Sequence, residues 1–116
     1  MKDYQTSKIE KIIEQRKEAH QYFLERSKVY NSFVTMEEMT YRNSALNKKE
    51  KELIATGISV AINCESCMEW HIGQALKDGA TEEQVLEAIE VGIEMSGGPG
   101  TVAARFAMSV LKYLKA

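Results

Sequence analysis

Cys64 and Cys67 are the only cysteines in the chain. They stand as Cys64-Glu65-Ser66-Cys67, with His71 four residues after the second and Glu52 twelve before the first. A Cys-x-x-Cys pair at a helix start is where a thiol can be held as a thiolate, because unpaired backbone N–H groups and the positive end of the helix dipole stabilise negative charge. On such a helix, residues three and four apart are neighbours, with Cβ atoms about 5–6 Å apart. Cys67 then sits between Cys64 and His71. The Cα atoms of a disulfide lie about 4.4–6.8 Å apart, so the two sulfurs can join with little backbone movement. An imidazole one turn from Cys67 can relay a proton to or from the sulfur or a bound oxygen. The spacing therefore makes Cys67 the candidate nucleophile and Cys64 its resolving partner.

Glu52 has two readings. It belongs to the charged run Lys48-Lys49-Glu50-Lys51-Glu52, where a carboxylate is ordinarily solvated. If its helix folds back against the cysteine helix, it becomes the base that draws the thiol proton through His71. A zinc centre is the rival use of the same residues. It would need Cys64, Cys67 and His71 with Glu52 or water as a fourth ligand. There is no second Cys-x-x-Cys, and no metal or cofactor is assigned. His20 is too remote in sequence to place. Trp70, the sole tryptophan, reads as packing beside the thiol helix.

The elements that must position these residues read as helices. A single proline, glycines grouped at apparent breaks and few alternating β-branched stretches leave helix as the default. A first helix is expected from about Thr6 to Tyr30, with Ile9, Ile12, Ile13, Phe23 and Leu24 near one stripe. Thr35 before Glu38, and Asn47 before Glu50, resemble capping boxes opening helices near residues 36–46 and 48–62. Asn63 reads as the cap of the cysteine helix, which should end near Asp78 with Gly79 as the stop. Thr81 before Gln84 opens a helix to about Met95, carrying Val85, Leu86, Ile89, Val91 and Ile93. Gly97-Gly98-Pro99-Gly100 reads as a break and not a phosphate loop, since no Gly-Lys-Ser/Thr follows. From Thr101 a last helix places Val102, Phe106, Val110 and Leu114 at four-residue spacing. Met36, Met39, Met95 and Met108 read as core or interface filler. The expectation is an all-α helical bundle of about six helices forming a single domain over residues 1–116.

Composition narrows the function classes. A net charge of −2 with scattered basic residues argues against nucleic acid as a partner, because phosphate binding needs a concentrated basic face. No apolar run approaches the ~20 residues that span a bilayer, so no membrane partner is expected. The charged N-terminus lacks the apolar stretch of a signal peptide, so the chain is expected in the cytoplasm. There, a close cysteine pair points to redox catalysis or metal and not to a structural staple.

The pattern Glu52, eleven residues, Cys64-x-x-Cys67, three residues, His71 resembles the alkylhydroperoxidase AhpD branch of the carboxymuconolactone decarboxylase family. The likeness continues through Ala75 to Lys77, the Gly79-Ala80-Thr81 turn and Gly98-Pro99. The resemblance implies an AhpD-like helical fold assembled as a homotrimer or homohexamer, with sites near subunit interfaces. It also implies thiol peroxidase chemistry. Cys67 attacks a small-molecule hydroperoxide to give a sulfenic acid, Cys64 condenses with it, and Glu52 with His71 relays protons, with no metal or flavin. A dithiol reductant, a lipoyl protein being the family's example, reopens the disulfide. AhpD enzymes carry a histidine immediately before the second cysteine, where this chain has Ser66. The family's namesake lyase uses no cysteine pair. That lyase activity and a non-catalytic zinc-holding oligomer are the competing readings.

Overall fold

The structure is a computed structural model that describes residues 2–115, so Met1 and Ala116, the ends of the expected 1–116 domain, lie outside the described residues. Those described residues form six helices and no strands: α1 (Tyr4–Arg26), α2 (Lys28–Thr40), α3 (Lys48–Ala61), α4 (Glu65–Lys77), α5 (Glu82–Ser96) and α6 (Gly98–Lys115). The all-α expectation holds. The boundaries show which local signals decided each element.

Asn47 and Thr81 open α3 and α5 with reciprocal capping boxes to Glu50 and Gln84, as their spacing predicts. The expected first helix instead breaks at Ser27. Its backbone is extended, and its hydroxyl oxygen accepts from the Tyr30 N–H at 3.0 Å to open α2. The expected Thr35–Glu38 box does not form. Thr35 lies inside α2 and donates its hydroxyl to the Asn31 carbonyl, and the helix ends at Thr40 rather than near residue 46. Gly97 alone breaks α5 from α6, with φ 70°; Gly98 is already helical and Pro99 sits in the first turn, where its missing N–H costs no bond.

α3 is the central element, packed against α4 on one side and α5 on the other. The α3–α5 crossing is close because Gly57 and Gly92 meet there. A Cβ on Gly57 would lie 2.8 Å from the Ala88 carbonyl oxygen, and one on Gly92 would lie 2.9 Å from Val60 Cβ. The core joins Ile9 of α1, Val60 of α3, Met68, Ile72 and Ala75 of α4, Val85 and Ile89 of α5, and the α6 stripe Ala103, Phe106, Ala107, Val110 and Leu111. That α6 stripe replaces the expected one in part, since Val102 is exposed. Phe23 and Leu24 of α1 and Leu86 and Val91 of α5 also lie outside the core. Met36, Met39, Met95 and Met108 are exposed in this chain, while Met68 is the core methionine. Among the described residues no helix is long and apolar enough to cross a membrane.

Candidate active site

Two chain reversals set the site. At the end of α3, Asn63 takes a left-handed conformation (φ 54°). Its N–H donates to the Val60 carbonyl at 3.1 Å, and the Cys64 N–H donates to the Ser59 carbonyl at 2.9 Å. This is the paired closure of a Schellman motif, with Asn63 where glycine is usual. Asn63 is therefore the stop of α3 and not the cap of α4, which corrects the sequence expectation. The cap is Cys64 itself, whose sulfur accepts from the Cys67 N–H at 3.3 Å. One cysteine thus ends one helix and opens the next, which fixes the pair to both. At the other end of α4, Gly79 (φ 96°) closes the same motif, with its N–H on Leu76 and that of Ala80 on Ala75.

Cys64 and Cys67 are joined as a disulfide with Cα atoms 5.2 Å apart, inside the range their spacing allows. The sulfur of Cys67 and the ring of His71 both line a cleft of about 450 Å3. Its walls are the apolar residues Ile54, Ala55, Ile58 and Ile62 of the α3 side, with Tyr41, Lys51 and Ser59 at its polar edges. Cys64 does not line it. Ser66, at the position of the AhpD histidine, is exposed on the first turn of α4.

Glu52 is only 2% exposed. The solvated reading of the charged run is wrong at this position, because α3 folds antiparallel onto α4 and turns Glu52 inward. His71 Nδ1 lies 2.6 Å from Glu52 Oε1. An ionised carboxylate can only accept, so Nδ1 carries the hydrogen and Nε2 is the ring nitrogen left for the cleft. The second oxygen, Oε2, accepts from Lys48 Nζ at 3.3 Å, and the same ammonium reaches Gln74 Oε1 at 3.1 Å and the Asp78 carboxylate. Burial would pull the Lys48 ammonium down. Hydrogen bonds to Asp78 and Glu52 outweigh it and hold the group above the usual lysine value. Tyr41 stacks on His71 with ring centroids 5.5 Å apart and planes 29° from parallel. Its phenol is pushed above the usual tyrosine range by burial, then by the negative charge of Glu52.

The back of α4 is tied to α1. Arg16 makes two hydrogen bonds of 3.1 Å to the buried Glu69 carboxylate and lays its guanidinium 4.6 Å from the centre of the Trp70 ring. Lys8 pairs with Glu65, between the two cysteines, at 2.8 Å. Of the four residues singled out in the sequence, Cys67 and His71 line the cleft, Cys64 is bonded to Cys67, and Glu52 lies buried behind His71, with Lys48, Tyr41 and Asp78 added by the fold. Lys48 had a usable signal, since it lies four residues before Glu52 and so on the same helical face. Tyr41 had none, because it sits in the connection before α3. His20 is elsewhere, with Nδ1 2.7 Å from the Tyr30 hydroxyl. Among the described residues no group of three or more Cys, His, Asp or Glu is arranged to hold a metal ion.

An all-helical chain with this cleft matches the model of the carboxymuconolactone decarboxylase family over residues 27–109, and the chain belongs to that family. It is 36% identical over 81 residues to uncharacterized protein 4 in the cox locus of Paracoccus denitrificans, covering 70% of this chain and 73% of that one. An uncharacterized protein of Cupriavidus necator is 39% identical over 75 residues, which covers 65% and 66% of the two chains. Among solved structures, a carboxymuconolactone decarboxylase family protein from Legionella pneumophila superimposes with a TM-score of 0.78 at 28% identity, over 93% of this chain and 95% of that one. A family member from Thermotoga maritima, described with a suggested involvement in antioxidative response, gives 0.82 at 25% identity and 90% coverage of each chain.

Proposed function

We propose that this protein is a thiol-dependent hydroperoxide reductase of the AhpD type, acting in the cytoplasm on a small-molecule hydroperoxide. The observation that carries the reading is the line Cys67, His71, Glu52: a sulfur on an apolar cleft, an imidazole beside it, and a buried carboxylate holding the imidazole by Nδ1. The antioxidative description of the Thermotoga maritima relative supports the same reading.

The chemistry balances over three steps. The Cys67 thiolate attacks the outer oxygen of R–OOH. The O–O bond breaks, Cys67 becomes a sulfenic acid, and the departing RO⁻ takes a proton from the His71–Glu52 pair to leave as an alcohol. The Cys64 thiol then condenses with the sulfenic acid, forming the S–S bond and releasing water. A dithiol restores both thiols and is itself oxidised to a disulfide. Attack on the cleft-lining Cys67 sulfur releases Cys64 as the leaving thiolate, which the Cys67 N–H at the helix start receives. No step needs a metal or flavin.

We propose further that the working form is a homotrimer or homohexamer. α2 buries none of its own side chains in this chain and leaves Val29, Phe33, Met36 and Met39 exposed. A second apolar groove of about 540 Å3 runs between α3 and α5 and shares Ile54 and Ile58 with the cleft, so a subunit seated there would reach the site's edge.

The order of events is testable by trapping. Cys64→Ser should still react with hydroperoxide and accumulate a sulfenic acid at Cys67 that dimedone labels, whereas Cys67→Ser should consume none. Retained activity in Cys67→Ser, with the adduct on Cys64, reverses the assignment. Consumption by a protein with both cysteines alkylated removes the peroxidase reading.

A further inference from the structure

The buried carboxylate is held from two sides, and the sequence pattern accounts for only one. His71 takes Oε1 of Glu52, while Lys48 takes Oε2 and extends to Gln74 and Asp78 at the far end of α4. We propose that Lys48 is a positioning residue of this site: its ammonium, balanced between Glu52 and Asp78, sets how strongly Glu52 pulls on the His71 proton. The proposal rests on the thiol-peroxidase reading for its use, but its geometry stands without it.

The charges of this cluster lie in a poorly solvated place. A bare Glu52 carboxylate, almost wholly buried, would hold a proton on His71 tightly. A cation on the opposite oxygen offsets part of that charge, so the ring releases its proton more readily. Asp78 works the other way, because it draws the ammonium's charge away from Glu52. Charge therefore alternates in sign from Glu52 through Lys48 to Asp78, and the removal of Lys48 or Asp78 has a direction at His71. The other charged or titratable groups facing this cluster are Lys51 and Cys67 in the cleft, Tyr41 over the ring, and Glu37 of α2, whose charge reaches Tyr41. None of them bonds to Lys48. Lys51 donates instead to the Arg42 carbonyl at 2.7 Å.

The test reads His71 directly, by 15N chemical shifts of its ring in the disulfide form, where Cys67 holds no proton. The chain has only two histidines, so His71→Gln identifies the signal. The reading is taken at the pH where half of the wild-type rings carry both protons. In Lys48→Met the ratio of doubly protonated to neutral ring should rise by at least about tenfold, from the loss of one unit charge two hydrogen bonds away across Glu52. In Lys48→Arg, which keeps the charge, the ratio should stay near that of the wild type. In Asp78→Asn it should fall. A merely structural lysine would leave the ratio alone in Lys48→Met, or move it the same way in all three variants, and either result overturns the proposal. If Lys48→Met does not fold, an unchanged or raised ratio in Asp78→Asn alone overturns it, and a fall supports it. Because no peroxide is present, a wild type that fails to reduce hydroperoxide would sink the functional reading while leaving this result to stand or fall by itself.

Discussion

The α3–α4 pair and α2 lie next to each other in the chain yet are opposite in how complete they are. The carboxylates around the α3–α4 site are answered by cations within the chain: Glu52 by Lys48, with His71 on its other oxygen, Asp78 by Lys48 too, Glu65 by Lys8, and Glu69 by Arg16. α2 has a sound cap at Ser27 and good helical geometry, but Val29 is 82% exposed and Phe33, Met36 and Met39 lie in the open with it. A buried polar site must be satisfied locally, since an unpaired charge in the interior is costly. An apolar face has no such constraint and can wait for another surface. The polar groups of the site are satisfied within one chain, while the apolar faces around it are left exposed, and these are the faces the proposed assembly would cover.

That contrast is sharpest at Glu52. Replacing it in Glu52→Gln leaves the helix and an amide oxygen beside His71 but removes the negative charge that draws its proton, and hydroperoxide reduction should slow by about 10²–10⁴ with the circular dichroism spectrum unchanged. A rate within a factor of about three of the wild type would reduce Glu52 to a packing group.

The other side of the contrast is broken by charge. In the double variant Phe33→Asp with Met36→Asp, two side chains that touch no core become acidic. Helicity and thermal midpoint should be nearly unaffected, while sedimentation should show the trimer or hexamer falling to a species of monomer mass. If the wild type sediments only as a monomer, the proposed assembly is wrong.

A smaller effect belongs to the Lys48 ion cluster. The folded state holds this ammonium above its ordinary value, so folding favours the protonated form. The contribution to stability is therefore fully present below the unfolded lysine pKa of about 10.4, and is lost as pH rises through the raised folded value. Between pH 7 and 9 the thermal midpoint of wild type should exceed that of Lys48→Met by a constant margin, and above pH 10 the margin should shrink. Lys8 is raised by its bond to Glu65 in both proteins and cancels in the comparison. A margin that grows with pH contradicts the charge assignment.

Much of this was legible in the sequence, and the failures have specific causes. The capping boxes at Asn47 and Thr81 carry two reciprocal bonds each, so three-residue spacing was enough to find them. The Thr35–Glu38 spacing matched equally well and meant nothing, because α2 had already started at Ser27, a single-bond cap with no Glu or Gln three residues on to bond back. Asparagine as a residue type serves both as an N-cap and in the left-handed stop of a helix, and at position 63 only the bonds from its own N–H and that of Cys64 decide for the stop. The Cys64, Cys67 and His71 alignment followed from helical periodicity. The burial of Glu52 did not, since it depends on which face of α3 meets α4. Val102, Leu86 and Val91 misled because exposed apolar residues look the same in sequence as core residues.

The central claim is that one hydroperoxide is reduced at the expense of the Cys64 and Cys67 thiols. The direct measurement is to add one equivalent of an alkyl hydroperoxide to the fully reduced protein, and to count free thiols, intact mass and alcohol formed in the same sample. Both thiols should be lost, the mass should fall by about 2 Da, the two hydrogens of disulfide closure, and one equivalent of alcohol should form, with the changes in the protein reversed by a dithiol. Thiols that persist while the peroxide survives, or that end as sulfinic acid at Cys67 without a bond to Cys64, would contradict the claim.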